Sequence, residues 1–186
     1  DYLFAPTATA RKNLLNEGID DRKIFITGNT IADAVRQNLA LAGKRGDAPG
    51  SLGLEKDNYI LVTLHRQENV DDKARLSGIM RGLVSVRKKS GMEMIFPVHP
   101  RTEKMIREFK IETRGIRLVP PLGFLEFLQL ESGARLALTD SGGVQEECCI
   151  LSVPCVTVRD STERPETVDA GANTVAGFSP QGILDA

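Results

Sequence analysis

Residues 135–147 read RLALTDSGGVQEE, and within this stretch the character of the sequence changes twice. The apolar run RLALT, ending at Thr139, predicts a buried strand. Asp140, Ser141 and two glycines interrupt it, and Val144 to Leu151 then has the pattern of a helix. A strand, a glycine turn and a helix in this order are the unit from which sheets with helical crossovers are built.

The same order recurs before and after this stretch. The predicted strands are Tyr59–Leu64, Met94–Val98, Ile116–Val119, Arg135–Thr139 and Pro154–Arg159, followed by predicted helices Arg75–Lys89, Arg101–Lys110, Leu125–Glu131, Val144–Leu151 and Glu163–Ala170. Strands that are apolar almost throughout and alternate with helices are typical of a parallel sheet buried on both faces. The predicted fold class is α/β, with a Rossmann-like parallel sheet and helices on both faces.

The first fifty residues have a different organisation. Tyr2 to Pro6 is a short apolar run, Thr7 to Glu17 is helical, and Lys23 to Thr27 predicts a strand. Gly28 to Gly53 contains a break and then a stretch rich in glycine and proline, which predicts a boundary there. The chain starts at Asp1 and stops at Ala186, and we expect it to be a piece of a longer protein.

Composition argues against several classes of function. The chain carries 24 basic and 25 acidic residues, which gives no electrostatic footprint for nucleic acid or an anionic membrane. No apolar run is long enough to span a bilayer and no signal segment opens the chain, so we expect a cytoplasmic protein. The three cysteines and two histidines lack metal-ligand spacing, which predicts reduced thiols and no metal site.

Polar residues gather where the predicted strands end. Ligands of open parallel sheets bind outside the carboxyl ends of the strands. The candidate residues at these ends are His65, Arg66, Glu68, His99, Ser141, Gly142, Gly143, Glu147 and Arg164.

The turn Ser141 to Gly143 has two interpretations. Two glycines before a helix allow a ligand close to free backbone N–H groups, which favours a diphosphate. Alternatively, the segment is a tight turn in which Ser141 caps the helix. Glu147, about one turn further on, could accept hydrogen bonds from ribose hydroxyls, or Glu146 and Glu147 could simply favour the helix dipole.

The other candidates also have a structural alternative. Taken alone, His65 would be a capped histidine at a strand end, but it forms a polar cluster with Arg66 and Glu68 where core packing requires no such groups. His99 precedes Pro100 and could merely start a helix. Arg164 either neutralises phosphate, locks its loop by pairing with Glu163 or Glu166, or is simply solvated.

Several motifs together resemble those of the non-hydrolysing UDP-N-acetylglucosamine 2-epimerases. In chain order they are Phe4-Ala5-Pro6-Thr7, Asn13-Leu14-Leu15, residues 24–30 (IFITGNT), 61–69 (LVTLHRQEN), 97–100 (PVHP), 138–147 (LTDSGGVQEE) and 159–166 (RDSTERPE). The matching pieces run nearly the whole length of the chain.

The resemblance implies a fold with two lobes like that of GT-B glycosyltransferases. Residues 1–30 would then be the remnant of the first lobe and the hinge, and residues 31–186 a second, UDP-binding lobe truncated at its C-terminus. It also implies that Ser141, Gly142 and Gly143 bind the diphosphate and Glu147 the ribose.

Further roles follow from the resemblance alone. His65 would be a catalytic residue on the phosphate side of the active site, Arg164 would lie in the cleft, and Phe127 would lie near the uracil. Arg66, Glu68 and His99 match residues with which some bacterial relatives bind a second UDP-GlcNAc as activator, although Gln67 replaces an arginine that many members have.

The implied reaction interconverts UDP-GlcNAc and UDP-ManNAc by elimination and re-addition of UDP, without a cofactor, in a homodimer serving cell-surface polysaccharide biosynthesis. The family's acid–base carboxylates lie in the first lobe, so this chain alone is expected to bind UDP but not to epimerise. Three alternatives stay open: a hydrolysing 2-epimerase, a GT-B glycosyltransferase, and a non-catalytic nucleotide-sugar-binding module.

Overall fold

The computed structural model describes residues 1–186 and contains two separate parallel sheets. The smaller sheet pairs β1 (Leu3–Ala5) with β2 (Ile24–Ile26), and α1 (Ala8–Asn16) connects them through a 3-10 turn at Asp21–Lys23. Thr7 caps α1 by accepting a hydrogen bond from the Ala10 N–H at 3.0 Å.

The larger sheet has six strands, and every neighbouring pair is parallel. Its strands are β3 (Tyr59–Thr63), β4 (Glu93–Pro97), β5 (Arg117–Val119), β6 (Leu136–Thr139), β7 (Cys155–Thr157) and β8 (Asn173–Val175). They lie in the order β5-β4-β3-β6-β7-β8, which is the doubly wound order of Rossmann folds. The predicted fold class is confirmed, and the order reverses between β3 and β6.

Helices connect the strands and cover the sheet. They are α2 (Ile31–Ala42), α3 (Ala48–Ser51), α4 (Gln67–Val70), α5 (Lys73–Ser90), α6 (Pro100–Glu108), α7 (Phe124–Gly133), α8 (Gly142–Leu151), α9 (Pro165–Asp169) and α10 (Pro180–Asp185). None of them combines the length and the apolar character that a bilayer crossing requires.

The buried strand β3 shows why the core has two halves. Successive side chains of a strand point to opposite faces. Ile60 and Val62 therefore pack with α5, α6 and α10 on one face. Tyr59 and Leu61 pack on the other face, with α7 and α8. All four side chains are buried, which explains why the strand is apolar at every position.

The structure adds elements that the pattern did not predict. Helix α2 fills the segment after the predicted break, where the Asn29 Oδ1 accepts a hydrogen bond from the Ile31 N–H at 3.1 Å. The short helix α3 lies within the predicted linker, and α4 and β8 were missed because each has only three or four residues. Helix α2 packs on α7 and α8 and therefore lies against helices that cover the larger sheet. The predicted domain boundary at residue 30 stays a prediction.

Candidate functional site

Asp140 organises the site at the point where the strand order reverses. Its side chain is 0% exposed and follows β6 directly. The carboxylate accepts hydrogen bonds from the backbone N–H groups of His65 and Arg66, at 3.1 and 3.0 Å. Asp140 therefore holds the loop after β3 against the loop after β6, where a doubly wound sheet binds its ligands.

Two further contacts of Asp140 fix side chains. The Asn69 amide donates to the carboxylate at 3.2 Å and to the Val158 carbonyl at 2.9 Å, which ties in the end of β7. The His65 Nδ1 lies 3.3 Å from the Asp140 Oδ1, and the histidine side chain is 43% exposed. The carboxylate thus orients the imidazole ring and leaves its other nitrogen free for a ligand.

The N-terminus of α8 is open. Ser141 occupies the N-cap position, yet its side chain makes no capping hydrogen bond. The Ser141 N–H instead donates to the Thr139 Oγ1 at 2.9 Å. Ser141 is therefore at the N-cap position, as the structural alternative expects, but without its capping hydrogen bond, and this leaves backbone N–H groups of the turn available to an anion.

Three charged side chains lie beside this turn. Arg66 and Arg159 both bind the Glu163 carboxylate, at 2.8 and 2.5 Å. A Cβ on Gly142 would lie only 2.8 Å from the Glu163 Oε1, so this position requires glycine unless the glutamate moves. Arg159 also lies 3.2 Å from Glu68. Two guanidinium groups thus converge on one carboxylate in front of a helix N-terminus.

Arg164 has a partner that the sequence did not predict. Its Nε lies 2.9 Å from the Glu146 Oε1, and the same oxygen accepts a hydrogen bond from the Asn29 amide at 2.7 Å. From Glu163 the arginine contacts only the backbone carbonyl, at 3.1 Å. The predicted pairing with the carboxylate of Glu163 or Glu166 is wrong, and the Arg164–Glu146 pair links α8 to the segment before α2.

Glu147 is directed towards the interior and pairs with a second glutamate. It is 8% exposed, and the carboxyl group of Glu131, which is 0% exposed, faces it from α7. Burial raises the pKa of both carboxyls, and burial beside Glu147 raises the pKa of Glu131 to about 10. Glu147 is therefore a buried acid beside a second buried acid and does not extend into solvent.

His99 and Phe127 have identifiable structural roles. His99 is the N-cap of α6, and its Nδ1 accepts a hydrogen bond from the Arg101 N–H at 3.2 Å. Phe127 is half-buried and packs against the apolar cluster between α7 and the sheet. The expected contacts of these two residues with nucleotide stay predictions.

A cavity of about 500 Å³ lies next to these loops. Its walls come from the segments 6–13 and 29–34 on one side and from Glu146 and residues 163–166 on the other. Glu163 and Arg164 line it, whereas Ser141, Gly142 and Gly143 do not. In residues 1–186 no three His, Cys, Asp or Glu side chains form a group that could hold a metal ion.

Sequence reasoning missed four residues that shape this site: Asp140, Asn69, Arg159 and Glu131. Asp140 carried a usable signal, because an acid between a buried strand and a glycine turn has no packing role. Asn69 acts through partners far away in sequence, Arg159 joins the nearby Glu163 to the distant Glu68, and Glu131 faces residues of the next helix, so the sequence did not single them out.

Comparison with known proteins identifies the family. The sequence model described as UDP-N-acetylglucosamine 2-epimerase matches residues 1–186. The chain belongs to the UDP-N-acetylglucosamine 2-epimerase family. It is 49% identical over 192 residues to the UDP-N-acetylglucosamine 2-epimerase of Methanocaldococcus jannaschii, covering 100% of this chain and 52% of that protein. The chain thus spans about half the length of this curated relative.

A solved structure of this enzyme and one further relative are informative. The crystal structure of the M. jannaschii UDP-GlcNAc 2-epimerase, in complex with UDP-GlcNAc and UDP, superimposes with a TM-score of 0.92, covering 99% of this chain and 52% of the other. A UDP-2,3-diacetamido-2,3-dideoxy-D-glucuronate 2-epimerase from Pseudomonas aeruginosa is 36% identical over 185 residues, which cover 100% of this chain and 51% of that protein. The name of the second relative specifies a diacetamido-glucuronate rather than GlcNAc as the sugar of that protein.

Proposed function

We propose that the chain forms the nucleotide-binding half of a UDP-GlcNAc 2-epimerase and holds UDP where the strand order reverses. The observation that carries this proposal is the uncapped N-terminus of α8 beside Arg66 and Arg159. A relative of the same fold is described in complex with UDP-GlcNAc and UDP. Backbone N–H groups, a helix dipole and two guanidinium groups are together the donors that a diphosphate needs.

The Glu163 carboxylate indicates how the diphosphate would be held. Its oxygens face Arg66 and Arg159, in front of Gly142. A hydrogen bond from its own backbone, the hydrogen bond from Arg159 and the charges of both guanidinium groups outweigh burial and hold the pKa of Glu163 below its usual value, so the group is an anion at neutral pH. A phosphate group needs the same partners, and we expect Glu163 to exchange one arginine for another contact when nucleotide binds.

His65 is the candidate catalytic group on this lobe. Asp140 orients its ring, and the exposed nitrogen faces the same rim as the Ser141–Gly143 turn. From this position it would assist departure and return of the UDP phosphate by supplying a hydrogen bond or proton to the leaving oxygen. The C2 proton of the sugar would be removed by groups of the other lobe.

The proposed reaction interconverts UDP-GlcNAc and UDP-ManNAc by elimination and re-addition of UDP. Product analysis distinguishes it from its alternatives: UDP-ManNAc indicates the epimerase, free ManNAc with UDP indicates a hydrolysing enzyme, and transfer to an acceptor indicates a glycosyltransferase.

An N-acetylated glucuronate in place of GlcNAc is the second candidate substrate, because one relative carries that description. A homodimer, a cytoplasmic location and a role in polysaccharide synthesis stay predictions.

The 186-residue chain alone is expected to bind UDP without epimerising UDP-GlcNAc. The carboxylates at the rim already have partners: Asp140 binds backbone N–H groups, Glu68 and Glu163 pair with Arg159, and Glu146 pairs with Arg164. None of these four is free to remove a proton from carbon, and one lobe cannot exclude water from the reaction. Proton NMR of the chain with UDP-GlcNAc should show broadened uracil signals but no UDP-ManNAc. Turnover comparable with that of an intact family member would contradict this expectation.

Substitution of Glu147 tests the ribose assignment. Glu147→Ala is expected to weaken UDP binding by about 1.5–3 kcal/mol, the contribution of hydrogen bonds to a charged acceptor. Binding of a 2′,3′-dideoxy analogue, which lacks both hydroxyls, should change little. Titration calorimetry of both ligands gives the comparison, with Glu112→Ala, an exposed glutamate remote from the rim, as the control. Equal weakening for both ligands would remove the ribose role from Glu147.

A further inference from the structure

Glu131 is a buried carboxyl group that the proposed reaction does not use. It lies near the end of α7, is 0% exposed, and packs where α7 meets α8. Its Oε1 accepts a weak hydrogen bond from the Cys148 thiol at 3.8 Å. When both glutamates are treated as carboxylates, its Oε2 is buried without any hydrogen-bond donor. Unpaired buried oxygens of this kind are rare and costly.

No cation compensates Glu131. The titratable groups that face it are Glu147 and Cys148 of α8 and Cys155 of β7, and none of these carries positive charge. The nearby Tyr59 hydroxyl donates to the Leu130 carbonyl at 2.5 Å rather than to the carboxyl group. An ionised Glu131 would therefore be an unpaired buried charge beside a second acid, which is the most expensive arrangement available to it.

Protonation of Glu131 removes both the unpaired buried charge and the unpaired buried oxygen. A neutral carboxylic acid carries one O–H donor, and the Glu147 carboxyl on the facing helix α8 is an acidic neighbour that can accept it. The proton belongs on Glu131 because this group is the more deeply buried of the two and has no contact with solvent.

We propose that Glu131, as a neutral acid, donates a hydrogen bond to the Glu147 carboxylate and is thereby a positioning residue of the nucleotide site. This inference rests on the proposed function, because the group that it positions is the proposed ribose acceptor. One Glu147 oxygen accepts the hydrogen bond from the Glu131 O–H. The other is left for the ribose hydroxyls at the rim, in one fixed orientation and with its negative charge intact.

The positioning role predicts a selective change in nucleotide recognition. Glu131→Leu removes the donor while keeping an apolar side chain of similar size, so Glu147 loses its fixed orientation. The ratio of the dissociation constants for 2′,3′-dideoxy-UDP and UDP is then expected to fall about three- to tenfold, the size expected for loss of one hydrogen bond. Glu131→Gln keeps an N–H donor to Glu147 and should retain the wild-type ratio. A purely structural role would weaken both ligands together and leave the ratio unchanged.

The experiment combines calorimetry of the 186-residue chain with infrared spectroscopy. Affinities for UDP and the dideoxy analogue are measured for wild type, Glu131→Leu, Glu131→Gln and the exposed control Glu112→Gln. The infrared spectrum at neutral pH should show the C=O stretch of a protonated carboxyl group that Glu131→Gln removes and Glu112→Gln retains. The infrared measurement compares wild type with Glu131→Gln and needs no nucleotide. It therefore tests the protonation of Glu131 even where Glu131→Leu fails to fold.

The outcomes separate this inference from the proposed function. A wild-type chain that does not distinguish UDP from its dideoxy analogue contradicts the ribose role of Glu147 and with it the proposed site. A wild-type chain that distinguishes them, with an unchanged ratio in Glu131→Leu, overturns the positioning role alone. A neutral-pH spectrum without a protonated carboxyl band assigned to Glu131 overturns it as well.

Discussion

Asp140→Ala is expected to lower the free energy of unfolding by about 3 kcal/mol, because several buried donors lose their acceptor at once. The carboxylate accepts from the backbone N–H groups of His65 and Arg66 and from the Asn69 amide. Alanine leaves these groups without a partner in a site where the aspartate is 0% exposed. A loss of this size in a chain this long corresponds to a drop of roughly 6–12 °C in Tm.

The same substitution should also weaken UDP binding at temperatures where the variant is folded. Asp140 joins the loop after β3 to the loop after β6, and it orients the His65 ring. Without it, Arg66 and His65 are no longer held beside the α8 N-terminus, so the diphosphate loses pre-arranged partners. The loss should appear equally for UDP and its dideoxy analogue, in contrast to that of Glu147→Ala.

Thermal unfolding followed by circular dichroism, and calorimetric titration with UDP, measure the two effects. Asp140→Asn retains one acceptor oxygen and should lie between wild type and alanine in both assays. Asp169→Ala, at the exposed end of α9, removes the same charge without buried hydrogen bonds and serves as control. A Tm for Asp140→Ala within error of the control would show that the loops are held by other contacts.

Much of the fold was predictable because apolar runs and breaks are local signals. β3 is buried at every position, so YILVT could be recognised as an interior strand without knowledge of its partners. The Ser141–Gly143 turn was predictable for the same reason. The short strand β8 was missed because three residues, two of them polar, do not make a pattern.

Site residues were predictable only where polar side chains directly follow the end of a strand in the sequence. His65, Arg66 and Ser141 lie at the rim as expected, since parallel strands end on one edge of the sheet. The partner of Arg164 was not predictable, because Glu146 and Glu163 are both acids in the right region and only the packing of α8 selects between them. The role of Glu131 was not predictable for a similar reason, because only the packing of α7 against α8 places it beside Glu147.

Glu131→Gln is expected to stabilise the chain in a way that grows with pH. The pKa of Glu131 is about 10 in the folded chain, against an ordinary value of 4.5. Below pH 4.5 both states hold the proton and the group has no effect on stability. Between these pH values the unfolded chain releases the proton while the folded chain keeps it, so stability falls as pH rises through the window. An amide does not titrate and removes this loss.

The difference in unfolding free energy between Glu131→Gln and wild type should therefore increase by about 2–4 kcal/mol from pH 5 to pH 8. Urea unfolding at several pH values measures it, and Glu112→Gln, which changes an exposed acid, should show no such trend. The upper limit of pH 8 avoids Cys148, whose pKa burial beside Cys155 holds well above its ordinary value of 9.0.

Glu147 must be separated from Glu131 in this measurement, since burial also raises the pKa of Glu147 and its effect on stability has the same sign. Glu147→Gln alone and together with Glu131→Gln completes a double-mutant cycle. If the proton resides on Glu131, the single variant Glu131→Gln removes most of the pH slope and Glu147→Gln removes little of it. A slope that survives Glu131→Gln but disappears in Glu147→Gln would place the proton on the ribose-facing glutamate, which would leave that residue a poorer acceptor and reverse the order of the pair.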